Sequence, residues 1–382
     1  VETVMAYQID RRTFILYETV EMLYKYVNGI SFCDIAESMA RLYGDAFPAA
    51  FTQRLQCLER ISREVCAGLD VQNPTVQRYF RRFETDAVRD NMCLAKAMTL
   101  SFFLYEAPEP EEEVRHLKER WRCMQRQGFR LGDMSISGLE FRPLEPGQER
   151  RSLVDLLYGL NYPAEYRLEL LQTLSHYEQA LDALLELAAP YARQLEAQLE
   201  GESWLLESTA DYWQTQFTGT SPSQLVQLIA QSQETLPELP DKRVLFSLMN
   251  CTGILYDLND EYSAVSRGGS TFVIGCAVTI HSTIRKVGGS VERTCAILRS
   301  ISDRSKFEVL QRLGAERSYG QKLAEEMEIN PGQMSRILVT LFNYGFLTRE
   351  QEQSRYYYTT NKESISAFFR QAQQLLTGRA EQ

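Results

Sequence analysis

The side chains best suited to specific chemistry lie in the last quarter of the chain. Within 331–344, Gln333, Ser335, Arg336, Val339, Thr340 and Asn343 share one side at helical spacing. Met334, Ile337, Leu338 and Leu341 share the other. A helix that carries polar groups early on its exposed face suits the major groove of duplex DNA. There, arginine grips guanine with two hydrogen bonds, and glutamine does the same for adenine. Arg349, Gln353 and Arg355, with Gln351 and Ser354, lie around a polar turn between two strand-like runs. That turn suits phosphate or the minor groove. Ser318 and Tyr319 open a preceding helix, whose first N–H groups can meet a phosphate. These residues form the expected DNA-binding set.

Catalytic and metal-binding alternatives are poorer. His116, His176 and His281 are scattered, and His116 and His176 read as ordinary helix residues. The eight cysteines include no C-x-x-C pair and read as reduced, buried thiols. No H-E-x-x-H, G-x-S-x-G, G-x-G-x-x-G or Walker A pattern occurs. Ser266-Arg-Gly-Gly-Ser-Thr271 lacks the following helix that a phosphate loop needs. Trp204, Tyr212, Trp213 and Phe217 read as core packing. Their alternative is the wall of a pocket for an unidentified small-molecule effector. No catalytic residue, metal site or cofactor is expected.

The elements that must position the polar set can be read in order. Residues 304–313 form a short helix with Phe307, Leu310 and Leu313 inward. Ser318-Tyr-Gly-Gln321 fits a capping box and opens a second helix packed through Leu323, Ala324 and Met327. Ile329-Asn-Pro-Gly332 makes the turn, with Asn330 as N-cap and Pro331 at the first helical position. The third helix, 331–344, stops at Gly345. Residues 346–360 read as strand, polar turn, strand. A last helix, 362–376, places Ile365, Phe368, Phe369, Ala372, Leu375 and Leu376 at helical spacing. Helix, helix–turn–helix and β-hairpin make a winged helix, with 331–344 in the major groove and 347–360 on the backbone.

Three stretches of this module also resemble a known family. Leu298-Arg-Ser-Ile-Ser-Asp-Arg-Ser-Lys-Phe-Glu-Val-Leu310 is similar to the opening helix of ArsR-type regulators. Met334-Ser-Arg-Ile-Leu-Val-Thr-Leu-Phe-Asn-Tyr-Gly-Phe-Leu347 resembles their recognition helix and its exit, and Arg355-Tyr-Tyr-Tyr358 the far side of their wing. The resemblance covers roughly a quarter of the chain and implies DNA binding and dimerisation. It does not imply metal sensing. Ile337 stands where the family usually has His, and Ser318-Tyr-Gly-Gln-Lys-Leu-Ala324 lacks the cysteine pair of the metal-sensing members.

The rest of the chain reads differently. Residues 10–240 are almost entirely helical, with candidates at 13–28, 34–43, 48–68, 74–83, 86–106, 110–127, 148–160 and 163–200. Leu16, Val20, Leu23 and Val27 form one apolar stripe on the first. Pro190 is expected to kink or break the last. Residues 128–147 read as loop. Strands are expected at 243–258 and 271–280 as a short antiparallel sheet, which 4–9 could extend. A linking helix, 290–301, places Val291, Cys295 and Leu298 on one side.

With 382 residues, 44% of them hydrophobic and 24% charged, the chain is no disordered tail or fibrous rod. Net charge is −10, but it is unevenly spread. Residues 296–382 hold 12 Lys+Arg and 10 Asp+Glu, a net of +2; subtracted from 41 and 51, this leaves 29 and 41, a net of −12, on the remainder. The longest apolar run, 272–280, is about half what a spanning helix needs. Residues 1–6 carry no basic-then-apolar leader pattern, so no membrane contact and a cytoplasmic location are expected.

The reading is mainly α with a small β component: a helical sensor or dimerisation domain over 1–290, then a winged helix over 291–382. The function expected is a homodimeric transcriptional regulator that binds double-stranded DNA without catalysis. The alternative is an enzyme or ligand-binding protein in the helical part, with the winged helix as a regulatory or protein-contact module.

Overall fold

The computed structural model describes residues 7–43, 47–83, 92–100, 107–131, 141–144, 147, 150–158, 163–217, 241–257, 269–279, 291–352 and 355–377. It is mainly helical, with small sheets.

Among the described residues, ten helices precede residue 241: α1 Ile15–Val27, α2 Phe32–Tyr43, α3 Ala49–Cys66, α4 Pro74–Phe80, α5 Leu94–Leu100, α6 Pro110–Gln127, α7 Leu153–Tyr158, α8 Ala164–Ser175, α9 Tyr177–Gly201 and α10 Trp204–Gln216. Helix α4 starts where its sequence says it should. Asn73 Oδ1 accepts from the Thr75 N–H at 2.9 Å, and Pro74 takes the first position. Helix α6 likewise opens on Pro110, with Glu111, Glu112 and Glu113 in its first turn, at the positive end of the dipole.

Helix α1 departs from the expected single stripe. Every residue from Ile15 to Lys25 is buried. A helix covered all round must satisfy its charged side chains internally. Glu21 receives Lys96 Nζ of α5 at 2.8 Å, with Lys25 Nζ at 3.7 Å. Glu18 accepts from the backbone N–H groups of Leu248 (3.2 Å) and Met249 (2.6 Å). Local periodicity cannot show this, because the covering surfaces come from distant parts of the chain.

Pro190 neither breaks nor ends its helix. It lies inside α9, and the interruption falls instead at His176, between α8 and α9. Pro190 and Glu186, whose carbonyl loses its bond to the missing N–H, are both exposed. Water can therefore satisfy that carbonyl, while Ala188 and Ala192 keep the other side packed.

Residues 128–147 are not simply loop. Strands β2 Phe129–Leu131 and β3 Phe141–Pro143 pair antiparallel. Their Phe129 and Phe141 rings lie 5.6 and 5.9 Å from the Trp121 ring. Three-residue strands are too short to display a period of two.

The principal sheet corrects the expected antiparallel one. Strands β1 Tyr7–Ile9, β4 Asp241–Ser247, β5 Ile254–Asp257 and β6 Gly269–Gly275 take the order β1-β4-β6-β5. β1 and β6 both run parallel to β4, and only β5 is antiparallel, to β6. The expected strand over 243–258 is two strands joined through 248–253. Parallel strands covered on both faces read as unbroken apolar runs. Leu245 and Val273 join the helical core, whereas Val244, Phe246, Phe272 and Ile274 pack with Trp213 of α10 and Phe217, its C-cap. Helices α1 to α10 lie between β1 and β4 in sequence, so the parallel pairing has no local signature. Gly275 lets the turn close: a Cβ there would overlap the carbonyl oxygens of Asn250 and Cys251.

The cysteines of the described residues are free. Cys66, Cys93, Cys251 and Cys276 are buried, and burial pushes the thiols of Cys66 and Cys93 up to about 12. Thiols in this state are poor nucleophiles near neutrality.

Glu18 links α1 to the turn after β4, and burial pushes its carboxyl up to about 7 despite the two backbone donors. Between about pH 4.5 and 7 the folded chain therefore holds a proton that the unfolded chain has released. The stability from this group is complete below that window and is lost as pH rises through it, by about 3 kcal/mol. Chemical denaturation between pH 5 and 8 should show this fall, and Glu18→Gln should remove it. The Gln amide would meet a backbone N–H, donor against donor, and so cost about 1 kcal/mol at every pH.

A separate apolar core lies in the last elements: α11 Val291–Ile301, α12 Arg304–Ala315, β7 Ser318–Tyr319, α13 Gly320–Glu326, α14 Pro331–Asn343, β8 Leu347–Glu352, β9 Arg355–Thr360 and α15 Lys362–Thr377. Ile297, Val309, Leu313, Leu323, Met334, Leu338, Leu341, Phe346 and Phe368 are among its buried members. The three strands form an antiparallel sheet in the order β7-β9-β8.

Two inward assignments need correction. On α11, Cys295 is exposed, and Thr294, Ile297 and Ile301 are buried. On α12, Phe307 is 60% exposed and Val309 takes its place in the core. In both, the apolar stripe is rotated by a residue or two, a shift that a 3.6-residue period allows over so short a helix.

Candidate nucleic-acid interface

Helix α14 is fixed from its first residue. Asn330 Oδ1 accepts from the Gly332 N–H at 2.9 Å, and Pro331 supplies a preset φ. Met334, Ile337, Leu338 and Leu341 are buried, which fixes the rotation of the helix about its axis. Gln333, Ser335 and Arg336 are consequently exposed together on its first two turns. Gly345, at φ 76°, ends the segment and turns the chain into β8.

The charges around this face are unequal in their commitments. Arg312 Nη2 meets Glu326 Oε2 at 2.6 Å and ties α12 to α13. Arg304 pairs with Glu308 at 2.7 Å, and Lys322 lies 3.7 Å from Glu326. Arg336 has no carboxylate partner among the described residues. An exposed guanidinium with its donors uncommitted fits a planar, two-acceptor partner.

Other expected contacts fare differently. Thr340 is half-buried, and its hydroxyl donates to the Arg336 carbonyl at 2.8 Å. Only its lone pairs remain for a ligand. Ser318 is not a helix cap. It is buried in β7, opposite Tyr358, and its Oγ has no hydrogen-bond partner. Gln321, the other half of the expected capping box, donates to Glu325 instead, at 3.2 Å. The N-terminus of α13 is formed by Tyr319, with no side-chain cap. Strand pairing with β9 has displaced the local capping option, as tertiary hydrogen bonds can.

Arg349 and Arg355 occupy β8 and β9, and Gln353 lies outside the described residues. In register, Arg349 stands opposite Tyr358 and Arg355 opposite Glu352. Tyr358 packs on the apolar core, so the face shared by Tyr357 and Tyr319 is the outer one. The sequence reading treated both arginines alike, because strand register is not visible in a polar run.

The sequence reading named Tyr319 on that outer face but missed its neighbours Tyr357 and Arg317. Tyr319 and Tyr357 are directly opposed, with ring centroids 5.4 Å apart at 69°. Exposed Arg317 sits over the Tyr357 ring, its Cζ 5.2 Å from the centroid.

Elsewhere, the described residues contain no group of three or more His, Cys, Asp or Glu placed to hold a metal ion, and no helix long and apolar enough to cross a membrane. Comparison of the chain with protein families, with curated proteins and with solved structures finds no match in any of the three.

Proposed function

We propose that residues 291–382 form a winged helix–turn–helix that binds double-stranded DNA, and that the whole chain is a transcriptional regulator. One observation carries this reading. The capped start of α14 exposes Gln333, Ser335 and Arg336 side by side, with Arg336 uncommitted among the described residues. In this reading α13 and α14 are the helix–turn–helix, α14 enters the major groove, and the β8–β9 hairpin is the wing. Residues 1–290 are the sensor and dimerisation part, which works without catalysis in the cytoplasm.

The chain acts as a homodimer. Phe368 is buried on α15, but Phe369 and Leu376 are 49% and 81% exposed. That apolar surface, on the helix following the wing, suits a two-fold contact, and a two-fold protein matches a palindromic operator. An enzymatic reading finds less support. The most enclosed ionic cluster, Glu21 with Lys25 and Lys96, is committed to its own ion pairs.

Selection of bound sites from random duplex DNA tests the proposal, and light scattering should give the mass of a dimer. With about three basic phosphate contacts per subunit, the slope of log K against log salt should be roughly −5. Failure to enrich any sequence, with salt-independent binding, would overturn it.

A further inference from the structure

Arg54 of α3 is a permanently charged side chain left only 4% exposed, and it has no carboxylate partner among the described residues. Its Nε donates to Ser208 Oγ at 3.1 Å and its Nη2 to the Ser208 carbonyl at 2.9 Å, so one edge of the guanidinium is taken by α10. Nη1 donates to the Cys276 carbonyl at 3.2 Å. Phe51 covers a face of the group, its ring centroid 4.5 Å from Cζ. A guanidinium carries five N–H donors, so these bonds leave one on each terminal nitrogen. Every acceptor it meets is neutral. Arg63, one helical stretch away on α3, instead pairs with Glu59 at 2.8 Å. Burial pulls the Arg54 pKa down, and the groups that oppose this are the Cys276 thiol and the Tyr212 phenol. A thiol and a phenol are ordinarily uncharged near neutrality. A buried cation among neutral dipoles is a costly arrangement, and an anion beside it removes much of that cost.

The place of Arg54 in the fold points the same way. Cys276 directly follows the last residue of β6, and its N–H donates to the carbonyl of Ser247, the last residue of β4, at 2.8 Å. Arg54 therefore sits at the carboxyl ends of two parallel strands, where sheets of this kind hold their ligands. Aromatic rings flank it. Tyr212 stands edge-on to Phe51 at 5.2 Å and to Trp213 at 5.5 Å, and Phe47 lies 5.6 Å from Phe51. Trp213 is fully buried, and its Nε1 donor has no hydrogen-bond partner. One positive charge and two in-plane donors match a carboxylate, which brings one negative charge and two acceptor oxygens. The second charge of a phosphate would stay unmatched there. The surrounding rings suit an apolar body behind the carboxylate.

We propose that Arg54 anchors a binding site for the carboxylate of a small apolar acid, between α3, α10 and the end of β6. The site stands apart from the DNA-binding reading and does not depend on it. Where the C-terminal elements do bind DNA, an acid held by Arg54 supplies the effector of the sensor part.

The test uses the full-length chain with acetate and benzoate as probes, benzyl alcohol as the neutral counterpart, and inorganic phosphate as competitor, all at matched ionic strength. Saturation-transfer NMR reads each organic probe directly. Wild type should give saturable transfer to benzoate and, more weakly, to acetate, with at least tenfold weaker binding of benzyl alcohol. Phosphate at equal concentration should leave the benzoate signal in place. Arg54→Met should abolish saturable benzoate binding, and Arg54→Lys, which keeps the charge but loses the planar fork, should weaken it about tenfold. Melting temperatures of the ligand-free variants show which of them fold. The contrast between benzoate and benzyl alcohol in wild type needs no variant and decides the matter if Arg54→Met does not fold. Absence of saturable transfer to both acids, equal binding of benzoate and benzyl alcohol, or unchanged benzoate binding in a folded Arg54→Met would overturn the site. Displacement of benzoate by equimolar phosphate would overturn the carboxylate assignment.

Discussion

Replacing Lys96 by Met should lower the stability of the helical part by about 3–5 kcal/mol. Lys96 Nζ lies 2.8 Å from one Glu21 oxygen and 3.0 Å from the other, and both side chains are almost wholly buried. Its ammonium also sits 4.5 Å from the Tyr24 ring centroid. Methionine fills a similar volume, so the loss is one of charge rather than packing. What remains is a buried carboxylate with the Lys25 ammonium 3.7 Å away. A buried ion pair contributes little over an apolar substitute, but a lone buried charge is expensive. The double change Glu21→Met with Lys96→Met should therefore recover much of the loss that Lys96→Met causes alone. The three tryptophans, Trp121, Trp204 and Trp213, all precede residue 241. Their fluorescence during denaturation thus follows this part of the chain and leaves the C-terminal elements silent. A midpoint for Lys96→Met equal to that of wild type would show that the pair is not what holds α1 in place.

This cluster also marks the limit of what the sequence discloses. Leu16, Val20 and Leu23 read as the core stripe of an amphipathic helix, and they are buried. Glu18, Glu21 and Lys25 lie outside that stripe, and they are buried too. Their partners, Lys96 and the amides of Leu248 and Met249, come from parts of the chain that no local window contains. The parallel sheet was hidden for the same reason, since α1 to α10 all lie between β1 and β4 in sequence. Where the determinant is local, the reading is sharper. Asn330 and Pro331 announce the start of α14, and the structure places that cap where the residue types require it. The alternation of polar and apolar residues then gives the exposed trio Gln333, Ser335 and Arg336. Ser318 shows the intermediate case. Its capping pattern is genuine as a local option, but pairing with Tyr358 supplies a competing one.

The trio on α14 and the wing should separate on mutation into residues that read and residues that anchor. Arg336 lies on the second exposed turn of α14, where a major-groove helix meets base edges. Arg336→Ala should cost about 1–3 kcal/mol on the selected duplex and relax preference at one base position. In the proposed DNA-binding reading, Arg355, on β9 of the hairpin, meets only phosphate or the minor groove. Arg355→Ala should then weaken all sequences evenly and flatten the salt slope by about one unit. Folding should not respond to the Arg336 change, since Met334, Ile337 and Leu338, not Arg336, carry the packing of α14. Binding curves on selected and scrambled duplexes, with melting temperatures of each variant, decide the matter. A variant lacking Arg336 that discriminates between the two duplexes as well as wild type does would remove α14 from the recognition mechanism.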